Sequence, residues 1–142
     1  MRLTLLTLVI VFLTIAIIIS CRSKGDVEMQ QYYNQGEVLY NKHCSNCHQT
    51  NGRGLGLLFP PLDTSDFMDK NFDEVLCIMR YGKSTPTIVN GKTFEQPMQG
   101  IASLTDLDIA EIATYIYNTW DHRRGIVKVG EVTGRMDSCG IQ

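Results

Sequence analysis

The sequence predicts an all-α domain with one short β-hairpin. Two stretches open with a capping-box signature, Asn71 with Glu74 three residues later and Thr105 with Asp108 three residues later. Behind the second box, Ile109, Ile112, Ala113, Ile116 and Trp120 recur at helical spacing. Between the two helices, Asn90-Gly91 separates Thr87-Ile88-Val89 from Lys92-Thr93-Phe94, the pattern of a two-residue hairpin turn.

The elements follow in chain order. Leu3 to Ile19 is 17 residues without a charge, preceded by Arg2. One basic residue before an apolar block reads as a secretory signal, residues 1–20. The block ends in Ile18-Ile19-Ser20-Cys21 and resembles the bacterial lipoprotein cleavage box, which implies a lipidated Cys21 at the mature N-terminus. The alternative is an uncleaved membrane helix, for which 17 residues is at the short end. Either reading places the remainder outside the cytoplasm, on the periplasmic side of a bacterial membrane, with the membrane itself as a partner. Residues 21–31 are polar and contain Gly25, the composition of a flexible tether. A single domain over 32–122 and a tail over 123–142 complete the chain.

Within the domain, a first helix is expected from about Asn34 to Cys47, with Gly36 and Tyr40 on one face. The middle helix covers Phe72 to Tyr81 and stops before Gly82. Met68 is expected in a loop. In the tail, Ile126 to Val129 reads as a short strand followed by a short helix.

Composition narrows the function. The 142 residues carry 13 basic and 15 acidic side chains, a formal charge of −2, which gives no electrostatic reason to expect nucleic acid. No nucleophile, acid or base set is apparent, so no small-molecule substrate is expected. Five cysteines are many for this length. Four of them fall on Cys44, Cys47, Cys77 and Cys139.

Cys44-Ser45-Asn46-Cys47-His48 has the C-x-x-C-H spacing of covalent haem c attachment. Two thiols two residues apart can add to the two vinyl groups on one porphyrin edge. The following histidine then falls beneath the iron as proximal ligand. A thioredoxin-like redox pair would need a strand and a βαβ unit, which are not visible. A zinc site would need a second ligand pair, and only His43 and His122 remain as histidines.

Leu39-Tyr40, the attachment motif, Gly52 to Gly56, Phe59-Pro60-Pro61-Leu62, Gln96-Pro97-Met98 and Tyr115-Ile116-Tyr117-Asn118 follow one another in an order that resembles the class I c-type cytochromes. The resemblance runs from about Asn34 to Trp120. It implies a small cytochrome c fold of three to four helices around one covalent haem c, with the hairpin before the axial Met. It makes Met98, 50 residues beyond His48, the second iron ligand, and His/Met ligation favours reduced iron relative to bis-His. The alternative ligand is a histidine, His122 before His43. Met68 and Met79 read as core filler, Met29 as tether and Met136 as tail. The resemblance also implies that the His48 ring is fixed by a backbone carbonyl from Pro60, or else Pro61. It implies that Gly36 and Tyr40 pack on the last helix at Tyr115.

Cys77 and Cys139 lie outside the motif, and outside the cytoplasm such thiols oxidise together. A bridge would tie the tail to the middle helix. The alternatives are a buried thiol at Cys77 and a free one at Cys139.

The function implied is an electron carrier, not an enzyme, serving a dehydrogenase or terminal oxidase either as a shuttle or as a bound subunit. A haem sensor or peroxidase-like enzyme is the alternative if Met98 does not ligate. Lys42, Arg53, Lys83 and Lys92 either ring the exposed haem edge or form a dispersed solvated surface.

Overall fold

The computed structural model describes residues 2–139, without the side chains of residues 3 and 18–24. In order the elements are α1 (Arg2–His43), α2 (Ser45–His48), α3 (Asp66–Lys70), α4 (Phe72–Tyr81), β1 (Gly82–Lys83), β2 (Thr87–Val89), β3 (Lys92–Phe94), β4 (Met98–Gln99), α5 (Asp106–Ile116) and α6 (Val129–Met136). The expected fold of three to four helices with one hairpin is therefore corrected. Among the described residues there are six α-helices, and the strands form two two-stranded sheets.

The chain divides into two units, Met1–Gln31 and Tyr32–Gln142. In the first, no proline interrupts the helical run. Thr7 and Thr14 return their hydroxyls to the carbonyls of Thr4 and Val11, at 2.9 and 2.8 Å. The large apolar side chains from Leu5 to Ile17 are 49% to 74% exposed. Among the described residues, no helix is long and apolar enough to cross a membrane. Residues 21–31, read as a tether, are helical here. The side chain of Cys21 lies outside those described.

In the second unit, α1 ends at His43, and Cys44 (φ −115°, ψ −36°) is the N-cap of the next helix. The helix restarts as α2, in which the amides of Cys47 and His48 both donate to the Cys44 carbonyl, at 3.1 and 3.0 Å. Gln49, at φ 64°, stops it. The five-residue α3 lies where the sequence predicts a loop. Ser65 caps it by accepting from the Met68 amide at 3.3 Å, so Met68 is a buried helical residue and not a loop residue.

Helix α4 occupies the expected span, but its expected capping box is absent. Asn71 is at once the C-cap of α3 and the N-cap of α4, and its side-chain amide donates to the Phe67 carbonyl at 3.0 Å. Glu74 pairs instead with Lys83 at 2.8 Å. The box at Thr105 does form, with the Thr105 hydroxyl and the Asp108 carboxylate each accepting from the other's amide.

Helix α5 ends at Ile116, before Trp120, which sits outside it at φ 58°. Its apolar face, Ile109, Ile112, Ala113 and Ile116, is buried. Gly36 allows α1 to approach α5: a Cβ there would overlap the Glu111 carbonyl. One helical turn on, Tyr40 packs on Tyr115 with ring centroids 5.3 Å apart and on Trp120 at 5.8 Å.

The expected strand at Ile126–Val129 is absent. Val127 instead donates its amide to the Thr114 hydroxyl at 2.9 Å, and α6 follows. A disulfide joins Cys77 to Cys139, with Cα atoms 5.5 Å apart, so the tail is covalently tied to α4.

Candidate functional site

An apolar cavity of ≈ 420 Å³ lies within the second unit. Its walls come from α2, the 59–62 loop, α3, α4, the β2–β3 hairpin, the Met98 segment and the inner face of α5. A concave apolar pocket with few polar groups is the usual form of a ligand site.

His48 is one of those few. Its side chain is buried, and Nδ1 lies 3.0 Å from the carbonyl oxygen of Pro60. A carbonyl only accepts, so Nδ1 carries the proton and Nε2 keeps its lone pair. No protein group occupies Nε2 among the described contacts, and no described side-chain nitrogen or oxygen is sealed without a partner. Burial pushes the imidazole below its ordinary pKa, with the Pro60 hydrogen bond opposing. Burial thus favours the neutral ring, whose Nε2 lone pair has no partner among the described contacts. Pro61 also lines the cavity, but it is Pro60 whose carbonyl meets the ring.

The loop that brings Pro60 there depends on Gly54. Its φ of 64° is left-handed, and a Cβ would overlap the carbonyls of Phe59 and Pro60. The Gly54 amide also donates to the His48 carbonyl at 2.9 Å. The sequence alone does not distinguish Gly54 from Gly52 and Gly56. The signal is tertiary.

Met98 is the first residue of β4, paired antiparallel with Lys83 of β1. Because β1 directly follows α4, this ladder brings a residue 50 positions beyond His48 onto the same cavity. Cys44 and Cys47 line it too, and both are free thiols. Burial, followed by the neighbouring Cys47, raises the Cys44 thiol to about 12. Tyr40 closes this end, donating its hydroxyl to the Gln49 carbonyl at 2.6 Å.

The alternative histidines sit differently. His122 does not line the cavity. Its Nε2 is 2.8 Å from the Leu62 carbonyl and its Nδ1 is 3.1 Å from Asp69. His43 lines the cavity at the end of α1, as do Met68 and Met79. Of the four cations considered for a docking ring, Lys83 pairs with Glu74 at 2.8 Å and Arg53 with Asp63 at 3.7 Å, while Lys42 and Lys92 are exposed.

The family model described as "Cytochrome C oxidase, cbb3-type, subunit III" matches residues 31–116, more than half of the chain. The chain belongs to this family. Similar proteins include cytochrome c-552 of Thermus thermophilus and a second cytochrome c-552 from a named strain of the same species. Each is 30% identical over 89 residues, or 60% of this chain. The match spans 67% of the length of the first relative and 60% of the second. Membership of the cbb3-type subunit III family carries a general cytochrome c-like role in electron transfer, that of a carrier and not of a catalyst.

One expectation for this family member is corrected. The C-x-x-C-H motif and the resemblance imply one covalent haem c as cofactor. Among the described residues, no group of three or more His, Cys, Asp and Glu side chains could hold a metal ion. The described disulfide joins Cys77 to Cys139, outside the Cys44–His48 motif, and Cys44 and Cys47 are not disulfide-bonded. This cavity offers one buried imidazole and one thioether in apolar walls, so the polypeptide's own donors form no cluster for a bare metal ion.

Proposed function

We propose that this member of the cbb3-type subunit III family is a membrane-anchored carrier of single electrons, working through a haem iron held by His48 and Met98. The covalent attachment corrected above is no part of this reading. One observation carries it: a neutral, buried imidazole with a free Nε2 lines the same apolar cavity as the Met98 thioether. Two such donors suit a metal that brings its own equatorial ligands. Haem supplies the one-electron Fe(III)/Fe(II) couple when bound.

The chain's own residues do the rest. Pro60 holds the His48 ring by Nδ1–H, which sets the ligating nitrogen and its orientation. The β1–β4 ladder holds Met98. Cys44 and Cys47 border the group from the His48 side of the cavity. Buried Met68, Met79, Val89, Phe94, Ile112 and Ile116 exclude water, which limits reorganisation between charge states.

The anchor in this reading is a lipid on Cys21, which places the domain on the periplasmic side of a bacterial membrane. The Ile18-Ile19-Ser20-Cys21 run at the end of an apolar block supports it. The partners are redox proteins. The family is described as a subunit of an oxidase, which favours a bound subunit of a terminal oxidase over a free shuttle.

The test is the absorption spectrum of the full chain purified in mild detergent, beside Met98→Ala. A haem spectrum with a Met–Fe(III) charge-transfer band that Met98→Ala abolishes is the expected result. A colourless protein, or a band that survives the substitution, overturns the reading.

A further inference from the structure

The β2–β3 hairpin forms one wall of the cavity. Its inward residues, Val89 and Phe94, are 2% and 3% exposed, and both line the cavity. Only Glu95, Gln96 and Pro97 separate its second strand from Met98. A two-stranded hairpin has little stability of its own, so something else must hold it down.

The tip of the hairpin shows what does. Asn90 (φ 52°) and Gly91 (φ 72°) form the turn. The Asn90 amide donates to the Asp66 carboxylate at 2.6 Å, and the Asp66 amide donates back to the Asn90 side-chain carbonyl at 3.1 Å. The Asn90 side-chain NH2 donates to the Thr64 carbonyl at 2.9 Å. Three hydrogen bonds thus join the turn to the N-terminus of α3, whose N-cap Ser65 and whose Met68 also line the cavity. The Asn90 amide, first among several donors, holds the Asp66 carboxyl below the usual carboxylate range.

We propose that Asp66 and Asn90 form a clasp that closes the hairpin over the cavity and thereby positions Met98. Asn90 is a positioning residue because it satisfies two demands at once: it tolerates the left-handed turn conformation, and its side chain reaches α3. The ladder to β1 holds Met98 from its far side and the clasp holds it from its near side, through the hairpin. Opening the clasp frees the segment from Thr87 to Gln99 at one end while α5 stays packed. The positioning of Met98 rests on the proposed His48/Met98 ligation. The closure of the hairpin does not.

Asp66→Ala removes the acceptor, Asn90→Gly keeps the turn but removes the side chain, and Asp66→Asn keeps an acceptor. Two measurements on the full chain in detergent decide the matter: hydrogen–deuterium exchange over residues 87–99 with α5 as reference, and the rate at which added imidazole displaces the thioether band of the ferric protein. Asp66→Ala and Asn90→Gly are expected to raise both rates about tenfold, and Asp66→Asn to stay near wild type. Unchanged exchange over 87–99 in the first two variants, or an equal rise in α5, overturns the clasp. A wild-type protein with no thioether band overturns the ligand reading instead, and exchange over 87–99 still decides whether the clasp closes the hairpin.

Discussion

The Nδ1–H of His48 donates to the carbonyl of Pro60 across 12 residues, at 3.0 Å. This one bond sets the tautomer of the ring and leaves its other nitrogen on the cavity wall. The carbonyl, not the proline ring, makes the contact, and Gly54 makes room for it. Gly54→Ala is therefore expected to cost about 1–3 kcal/mol through strain at positive φ and overlap with two carbonyls. Pro60→Ala keeps the acceptor and is expected to cost less. Urea unfolding gives the energies, and the His48 Nδ1–H proton resonance reports the bond. Retention of that resonance in Gly54→Ala, with native stability, would show that Gly54 does not shape the loop.

The Cys77–Cys139 disulfide closes a loop with a sequence separation of 62. In the chain-entropy account a loop of that size is worth about 4 kcal/mol, and measured values centre on about 2–4 kcal/mol. Cys77→Ser with Cys139→Ser is expected to lower stability by that order while α6 keeps part of its packing. Arg124 stacks on Phe72 at 3.4 Å, and the Thr133 hydroxyl donates to Asp106 at 2.6 Å. Thermal unfolding with and without reductant checks it. Identical midpoints would mean that the noncovalent contacts alone hold the tail.

Parts of this were legible in sequence, and the reasons for the rest are local. Helix α4 stands on its expected residues and α5 on its capping box, because each is long enough for periodicity and a stop signal to agree. Helix α3 has five residues and no period to read. The Asn71–Glu74 pattern misled because Asn71 also terminates α3 and spends its amide there. His48 and Met98 are conspicuous by residue type. Their sharing of one cavity is a product of the β1–β4 ladder, whose two-residue strands leave no alternation to detect.

The capping box of α5 predicts an acid dependence. The Thr105 hydroxyl, first among several causes, holds the Asp108 carboxyl below its ordinary 3.8. A carboxyl whose folded pKa is depressed adds stability that is complete above the unfolded pKa. That contribution is lost as pH falls through the folded pKa, because the native state must then take up a proton. The stability gap between wild type and Asp108→Asn is thus expected to be constant above about pH 5 and to close below about pH 4. Thr105→Ala, which removes the cap, should cost about 1 kcal/mol at neutral pH. Denaturation midpoints across pH measure both. A gap that persists at pH ~2 would assign the effect to packing and not to charge.

Two glycines should respond to alanine with opposite signs. At Gly36 a Cβ would meet the Glu111 carbonyl carbon at 2.6 Å and the Tyr115 Cβ at 2.8 Å. Neither atom can rotate away, so α1 must retreat from α5 and loosen the Tyr40–Tyr115 contact. Overpacking of that kind costs about 1–3 kcal/mol. Gly134 lies inside α6, where a methyl carbon would find nothing within 4 Å. There alanine removes only backbone freedom and is expected to stabilise by about 0.5–1 kcal/mol. Both variants add one carbon to a helical glycine, so the sign of each change in urea unfolding isolates the helix–helix contact. Stabilisation of Gly36→Ala would mean that α1 and α5 do not approach this closely in solution.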